Sequence, residues 1–585
     1  MALNRAKLVA ATAMLAMASP ALAAPSDDLT AILKDHWQWS LSESPIMASS
    51  MGVAGYEGKV GELSLSAMDK SAKTAQGFLD RLNALPMDQL SPSERTNALI
   101  LKRSLSDQIE ANKHPQRVML FTTYYGWHQG YAGLGDNSPL RNKVDYQSYL
   151  DRIAQYPKIN DEALKITQMA VDQGQVLPCE VLGNSAKGII GVVNEDPTKS
   201  RFYSPFTRPK PADMTATEWS AMQNNAKSLI TTVINPAYRK HHDFFTNTYL
   251  KKCAKDPAIT KLPGGKDHYA FRIRQETTTD LSADQIHTIG RNEVKRIRAE
   301  MEGVAKKAGF ASREAFIADL RTNPQYYAKS PEELMRYAAR EAKRIDGFMP
   351  TLFHKLPRLP YGIKEIPAEI AEGTTTAYYN PGSPQSGIAG NYFVNTSKLD
   401  QRPLYELPAL TAHESVPGHH NQIALQQELD IPEFRQNIGF TAFTEGWGLY
   451  SERLGIEMGI YDTPAKDMGR LSYEMWRACR LVVDTGIHSK GWTKAQAIQF
   501  MKDNSALSEA NIEAEVNRYI SWPGQALGYK IGEIKIRELR ALAEKELGAK
   551  FDLAAFHDTV LGQGAVPLDV LELQVKDWIA KVKAT

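Results

Sequence analysis

Pro417 stands four residues after His413 in the run Thr411-Ala412-His413-Glu414-Ser415-Val416-Pro417-Gly418-His419-His420, and no regular α-helix passes through that run. Proline lacks the N–H that would bond to the His413 carbonyl, and its ring presses on the same carbonyl. The chain must bulge or break between Glu414 and His419, with Gly418 supplying permissive backbone. Three histidines and a glutamate fall within eight residues of a chain that holds only 13 histidines, a density hard to ascribe to chance. After 24 intervening residues comes Glu445-Gly446-Trp447-Gly448-Leu449-Tyr450-Ser451-Glu452.

A His-Glu pair followed by further histidines and a distant carboxylate is the donor set of a zinc hydrolase. The usual spacing puts two histidines four residues apart on one helix face. Here the partners of His413 lie six and seven residues on. Seven residues restores the face but separates the two Cα atoms by roughly 10 Å along a helix. Looping out two residues at the Pro-Gly step turns six into an effective four. That favours His419 as the second ligand, with His420 as its neighbour and rival. Glu445 is expected as the third ligand, leaving a fourth position open, as catalytic rather than structural zinc sites do. Glu414 is placed to act as general base. Glu452 returns to the face of Glu445 and is expected to hold a ligand histidine from behind. One zinc ion is the expected cofactor; manganese or cobalt would accept the same donors.

Lys and Arg number 69 against 67 Asp and Glu, and no basic stripe is present, so neither nucleic acid nor an anionic membrane is expected as a partner. Arg5, Lys7, an apolar run over 8–18 and Ala21-Leu22-Ala23 read as a cleaved signal peptide over 1–23, exporting the mature chain to a periplasm or beyond. The run is too short for a membrane span, so no stable membrane association is expected after cleavage. No cysteine follows it, which argues against a lipid anchor. The three cysteines, Cys179, Cys253 and Cys479, allow one disulfide at most; three unpaired thiols is the expectation. The sequence does not reveal an oligomeric state.

The chain reads as mainly α. Ser91-Pro92-Ser93-Glu94, Ser330-Pro331-Glu332-Glu333, Ser282 with Gln285, and Thr493 with Gln496 are helix-start signals, and 533–547 alternates charge with Ile and Leu at helical spacing. Segments 113–144 and 176–210, richer in Gly, Pro and aromatics, read as loops or turns. Residues 374–396 read as two strands around a glycine-rich loop, whose free edge is a candidate to pair with an extended peptide. Tyr392, on the second strand, is a candidate substrate contact. A boundary near 275 would divide an N-terminal helical lobe (24–275) from a C-terminal catalytic lobe (276–585).

Four segments together resemble the bacterial family catalogued as domain of unknown function 885: His413 to Gln422, Glu445 to Glu452, Asp484-Thr485-Gly486-Ile487-His488, and Pro523-Gly524-Gln525-Ala526-Leu527-Gly528-Tyr529-Lys530-Ile531-Gly532. The layout is similar to that of helical zinc peptidases of the thimet oligopeptidase, Taq carboxypeptidase and angiotensin-converting enzyme kind, from which the Pro-Gly step departs. The resemblance implies a mostly helical body split by a deep channel; joined to the boundary near 275 and the strands of 374–396, the expectation is a two-lobed helical body around that channel with a small β hairpin or sheet near the metal helix. It suggests Tyr529 and His488 as donors to a developing oxyanion, with Asp484 orienting His488, and Arg518 and Tyr519 as substrate contacts. Tyr124, Tyr125, Trp127 and His128 read as core aromatics before channel lining. The expectation is an exported zinc peptidase acting on short peptides. The alternatives are a metal amidohydrolase acting on other amides and a peptide-binding protein that does not cut.

Overall fold

The structure is a computed structural model that describes residues 24–584 apart from 373 and 386; the signal peptide expected over 1–23 lies outside them. The protein is mainly α with one small sheet. Helix-start signals act where the sequence puts them. Reciprocal capping boxes open the helices Pro92–Ala111, Ala283–Lys307 and Lys494–Asn504. Ser330 caps Pro331–Asp346, but there the Glu333 side chain turns back to the Lys329 N–H instead of closing a box.

Two regions expected as loops are partly wound. Segment 113–144 holds the short turns Pro115–Val118, Trp127–Ala132 and Leu134–Asn137, and 176–210 holds Cys179–Val181, Ser185–Ile190, Pro197–Lys199 and Arg201–Thr207. The cysteine expectation is corrected: Cys179 and Cys253 form a disulfide across 74 residues, leaving Cys479 free and buried. The physical reason is a local pairing of extended backbone. Cys179 N–H donates to Ala254 O (2.9 Å) and Ala254 N–H to Leu177 O (3.0 Å), which sets the two side chains side by side.

The sheet has order β1-β3-β2. β2 (Ala377–Asn380) and β3 (Gly390–Val394) are the antiparallel pair expected from sequence, with Tyr379 opposite Tyr392. β1 (Tyr361–Glu365) was not expected. It runs parallel to β3, so β3 is central and its alternate residues Gly390, Tyr392 and Val394 are buried.

Two large apolar cores, each drawing residues from both sides of position 275, meet at the helix Leu407–Glu414. Leu407, Ala409 and Leu410 belong to one core, Ala412 to the other. The helix Pro464–Lys490 is buried along most of its length and packs against Ala283–Lys307. Thr441–Leu454 lies against Leu527–Leu547 at backbone distance: a Cβ on Gly446 would come within 2.6 Å of the Gly532 backbone. That approach brings Glu445 and Tyr529, the residues beside those contacts, into one neighbourhood at the seam between the cores.

Candidate metal centre

The break predicted at Pro417 is real and shapes the site. The helix Leu407–Glu414 ends at Ser415, and a new helix, His419–Glu428, starts after Gly418. The Val416–Pro417 peptide is cis. A Cβ on Gly418 would lie 1.9 Å from the His413 carbonyl oxygen, so no other residue fits the turn without moving it. The break is held from outside by Trp447, fully buried, whose indole N–H donates to the Pro417 carbonyl at 2.8 Å.

The break points two imidazoles at one carboxylate. Glu445 Oε2 lies 3.4 Å from His413 Nε2 and 3.3 Å from His419 Nε2, and ligand atoms of the three residues all lie within 4.8 Å of one another. Glu445 Oε2 nevertheless accepts no aligned hydrogen bond, so the three atoms face a common point rather than bonding in pairs. Two donors each about 2.0–2.1 Å from a tetrahedral cation sit roughly 3.3–3.4 Å apart, which is the spacing of Glu445 Oε2 from each imidazole. The donor set therefore fits a divalent cation that takes nitrogen and oxygen. Burial opposes charge on His413, but the surrounding carboxylates of Glu445, Glu452 and Glu414 outweigh it and raise its pKa to about 9. Burial likewise opposes charge on Glu445, yet the two histidines hold its carboxyl well below the usual range.

His413 is oriented from behind. Its Nδ1 lies 2.8 Å from Glu452 Oε1, and the same oxygen lies 3.0 Å from Arg477 Nη2. With Nδ1 donating to that carboxylate, Nε2 is the nitrogen that faces Glu445 and His419, and a cation bound there would displace its proton. Glu414, 8% exposed, adds its field at both His413 and Tyr392. Tyr392 is fully buried, with its hydroxyl 3.4 Å from Thr411 Oγ1.

Residues 45–575 match a family described as bacterial protein of unknown function, DUF885. The chain belongs to this family. No curated protein matches its sequence. Among solved structures, a lipoprotein candidate from Colwellia psychrerythraea is 27% identical, with a TM-score of 0.89, over 96% of this chain and 100% of that one. A second lipoprotein candidate, of unknown function and from Shewanella oneidensis, shares the fold: 19% identity, TM-score 0.67, over 94% of this chain and 99% of that one.

In this DUF885 chain the structure separates the remaining candidates. His420 turns away from the cluster: its Nδ1 is 2.9 Å from the Tyr379 hydroxyl and its Nε2 is 2.9 Å from the Leu359 carbonyl. With both nitrogens engaged and burial lowering its pKa to about 4, it ties the sheet to the helix His419–Glu428. His488 is also engaged on both sides, Nδ1 accepting from Ile259 N–H (3.1 Å) and Nε2 donating to Tyr519 O (3.0 Å). Asp484 does not bond His488; it accepts from the Tyr269 hydroxyl (2.7 Å) and Gly524 N–H (3.1 Å). Neither is brought to the donor cluster. Tyr529 is: its ring stacks 6.3 Å from that of His413, and its hydroxyl accepts from Arg518 Nη2 at 3.0 Å. Tyr519 is fully buried and spends its hydroxyl on Glu515, Arg480 and Trp476.

Sequence reading missed Arg477, Arg480 and Glu515. The first two lie on Pro464–Lys490, whose periodic charges look like a solvated face. Their signal was there in part: Arg477 and Arg480 sit beside Trp476, and both guanidiniums stack on its ring, at 4.3 and 4.6 Å. Tyr124 packs over Arg518 at 5.4 Å, whereas in the core Trp127 stacks on His241 and His128 meets the same ring edge-on.

Proposed function

We propose that this protein is a metal-dependent peptidase acting on short peptides, with zinc as the favoured ion and His413, His419 and Glu445 as its holders. The observation that carries the reading is the convergence of two imidazole nitrogens on one carboxylate oxygen that accepts no aligned hydrogen bond among the described residues. A zinc ion held there would polarise a peptide carbonyl and acidify a water. Glu414, next in sequence to His413, takes the water's proton and returns it to the leaving nitrogen. Tyr529, fixed by Arg518, donates its hydroxyl proton in a hydrogen bond to the carbonyl oxygen as that oxygen gains charge. Glu452 and Arg477 keep the His413 ring in the tautomer this needs.

The reading includes export. The leader over 1–23 argues for it, and the Cys179–Cys253 disulfide suits an oxidising compartment. No helix among the described residues is long and apolar enough to cross a membrane. The N-terminal sequence of the protein purified from its native cell envelope tests this part; a start near Ala24 is expected.

The peptidase reading is tested with the zinc-loaded protein and a mixture of short peptides, beside Glu414→Gln. Cleavage by the native protein, abolished in a Glu414→Gln protein that still holds zinc, is the expected result. Hydrolysis confined to simple amides would make it an amidohydrolase. Peptide binding without any turnover would make it a binding protein.

A further inference from the structure

Beside Tyr529 the interior carries more positive charge than it neutralises. Arg480 pairs with Glu515 (Nη2 to Oε2, 2.7 Å), and Arg518 reaches the other oxygen of the same carboxylate (Nη1 to Oε1, 3.3 Å). One glutamate thus serves two guanidiniums. The remaining hydrogen-bond partners of Arg518 are neutral: the Gln525 amide and the Tyr529 hydroxyl. Arg518 Nε, Arg480 Nη1 and the Tyr124 hydroxyl are buried without a hydrogen-bond partner among the described residues. Glu445 also faces Tyr529, but its charge is spent on the two histidines. Buried donors left over beside an uncompensated cation are costly, and such a site is completed by an anion.

We propose that Arg518, with the Tyr124 hydroxyl beside it, binds the free α-carboxylate of a peptide substrate, so that the protein trims peptides from their C-terminal ends. The substrate class rests on the peptidase reading above. A guanidinium fork matches a carboxylate in shape as well as charge. The anchor is one tyrosine side chain from the donor cluster: the Tyr529 ring is 6.3 Å from the His413 ring and its hydroxyl is 3.0 Å from Arg518. Taken step by step through the Tyr529 ring, the path is at most about 12 Å, a span of no more than about three residues of extended chain at about 3.3–3.6 Å each. Arg518 also sits over the Trp522 ring at 5.9 Å, and that ring meets Tyr125, 48% exposed, at 4.9 Å, so the cluster around the anchor reaches the surface at Tyr125.

The probes are N-acetyl-tetra-alanine with a free C-terminus and the same peptide amidated. Binding of each to zinc-loaded Glu414→Gln protein is measured by calorimetry, and the products formed by the zinc-loaded native protein are identified by mass spectrometry. The acid is expected to bind at least tenfold tighter than the amide. Adding Arg518→Gln should reduce that ratio to near one, Arg518→Lys should keep part of it, and the native products should be alanine or dialanine released from the C-terminus. Melting curves check that the variants fold; should Arg518→Gln not fold, the acid-to-amide ratio and Arg518→Lys still decide. Equal binding of acid and amide, or an acid preference that survives Arg518→Gln, overturns the anchor. Acid preference with no products from the native protein keeps the anchor and sinks the peptidase reading; cleavage of both probes alike does the reverse.

Discussion

Two regions of the molecule bury histidine and carboxylate together, and they differ in where the ring nitrogens go. At His413 and His419, each Nε2 faces Glu445 without an aligned hydrogen bond, while Glu452 occupies His413 Nδ1. Around His488, the backbone takes both nitrogens, and Asp484 one turn earlier serves Tyr269 and Gly524 instead. Both regions are buried, and both contain a histidine and an acid at plausible catalytic spacing. The first keeps lone pairs for a ligand; the second has used them on the fold. Availability of the lone pair, rather than burial or residue type, separates a site from scaffold.

The comparison is broken most severely at Glu414. Glu414→Gln should lower turnover of a cleaved peptide by about 10²–10⁴-fold while zinc content holds, read by steady-state kinetics with metal analysis. In the second region the effect should fall on stability instead. His488→Ala strands the Ile259 N–H and the Tyr519 carbonyl and leaves a cavity. It should cost about 2–4 kcal/mol in urea unfolding, with zinc content unchanged. Glu452→Gln sharpens the first region: losing the charged partner of His413 Nδ1 should weaken zinc binding by about 10–100-fold in a chelator competition.

The smallest effect concerns acid stability, where the second region holds two opposed groups. Burial lowers the His488 pKa to about 4 from 6.5 when unfolded, so its contribution is present above pH 6.5 and is lost as pH falls through 4. Burial raises Asp484 from 3.8 to about 7, so its contribution is present below 3.8 and is lost as pH rises through 7. The two offset each other between pH 4 and 6.5. Asp484→Asn should therefore make the loss of stability between pH 7 and pH 5 steeper by about 1–2 kcal/mol, measured as urea midpoints at the two values.

What sequence reading could reach follows the range of the forces involved. Helix starts at Ser91, Ser282 and Thr493 are set by groups three residues apart and were legible. The break at Pro417 was legible for the same reason, since proline acts on a carbonyl four residues back. β1 was not: Tyr361–Glu365 is short, bounded by Pro360 and Pro367, and is made a strand by its pairing with β3, roughly 29 residues on. Cys179 meets Cys253 only through a backbone pairing across 74 residues. The sequence also left His419 and His420 as rivals. What occupies His420 is Tyr379 and the Leu359 carbonyl, 41 and 61 residues away, and no local pattern announces them. Arg477, Arg480 and Glu515 were hidden because a charged residue on a helix looks alike in sequence whether it meets water or another charge.

The most direct test is the zinc stoichiometry of the purified protein after metal removal and reloading, in the native chain and in His413→Ala, His419→Ala, His420→Ala and His488→Ala. The account predicts one ion per chain, lost in the first two variants and retained in the last two, provided melting shows each folded. A native chain that takes up no ion, or an ion that survives His419→Ala and disappears with His420→Ala, would contradict it.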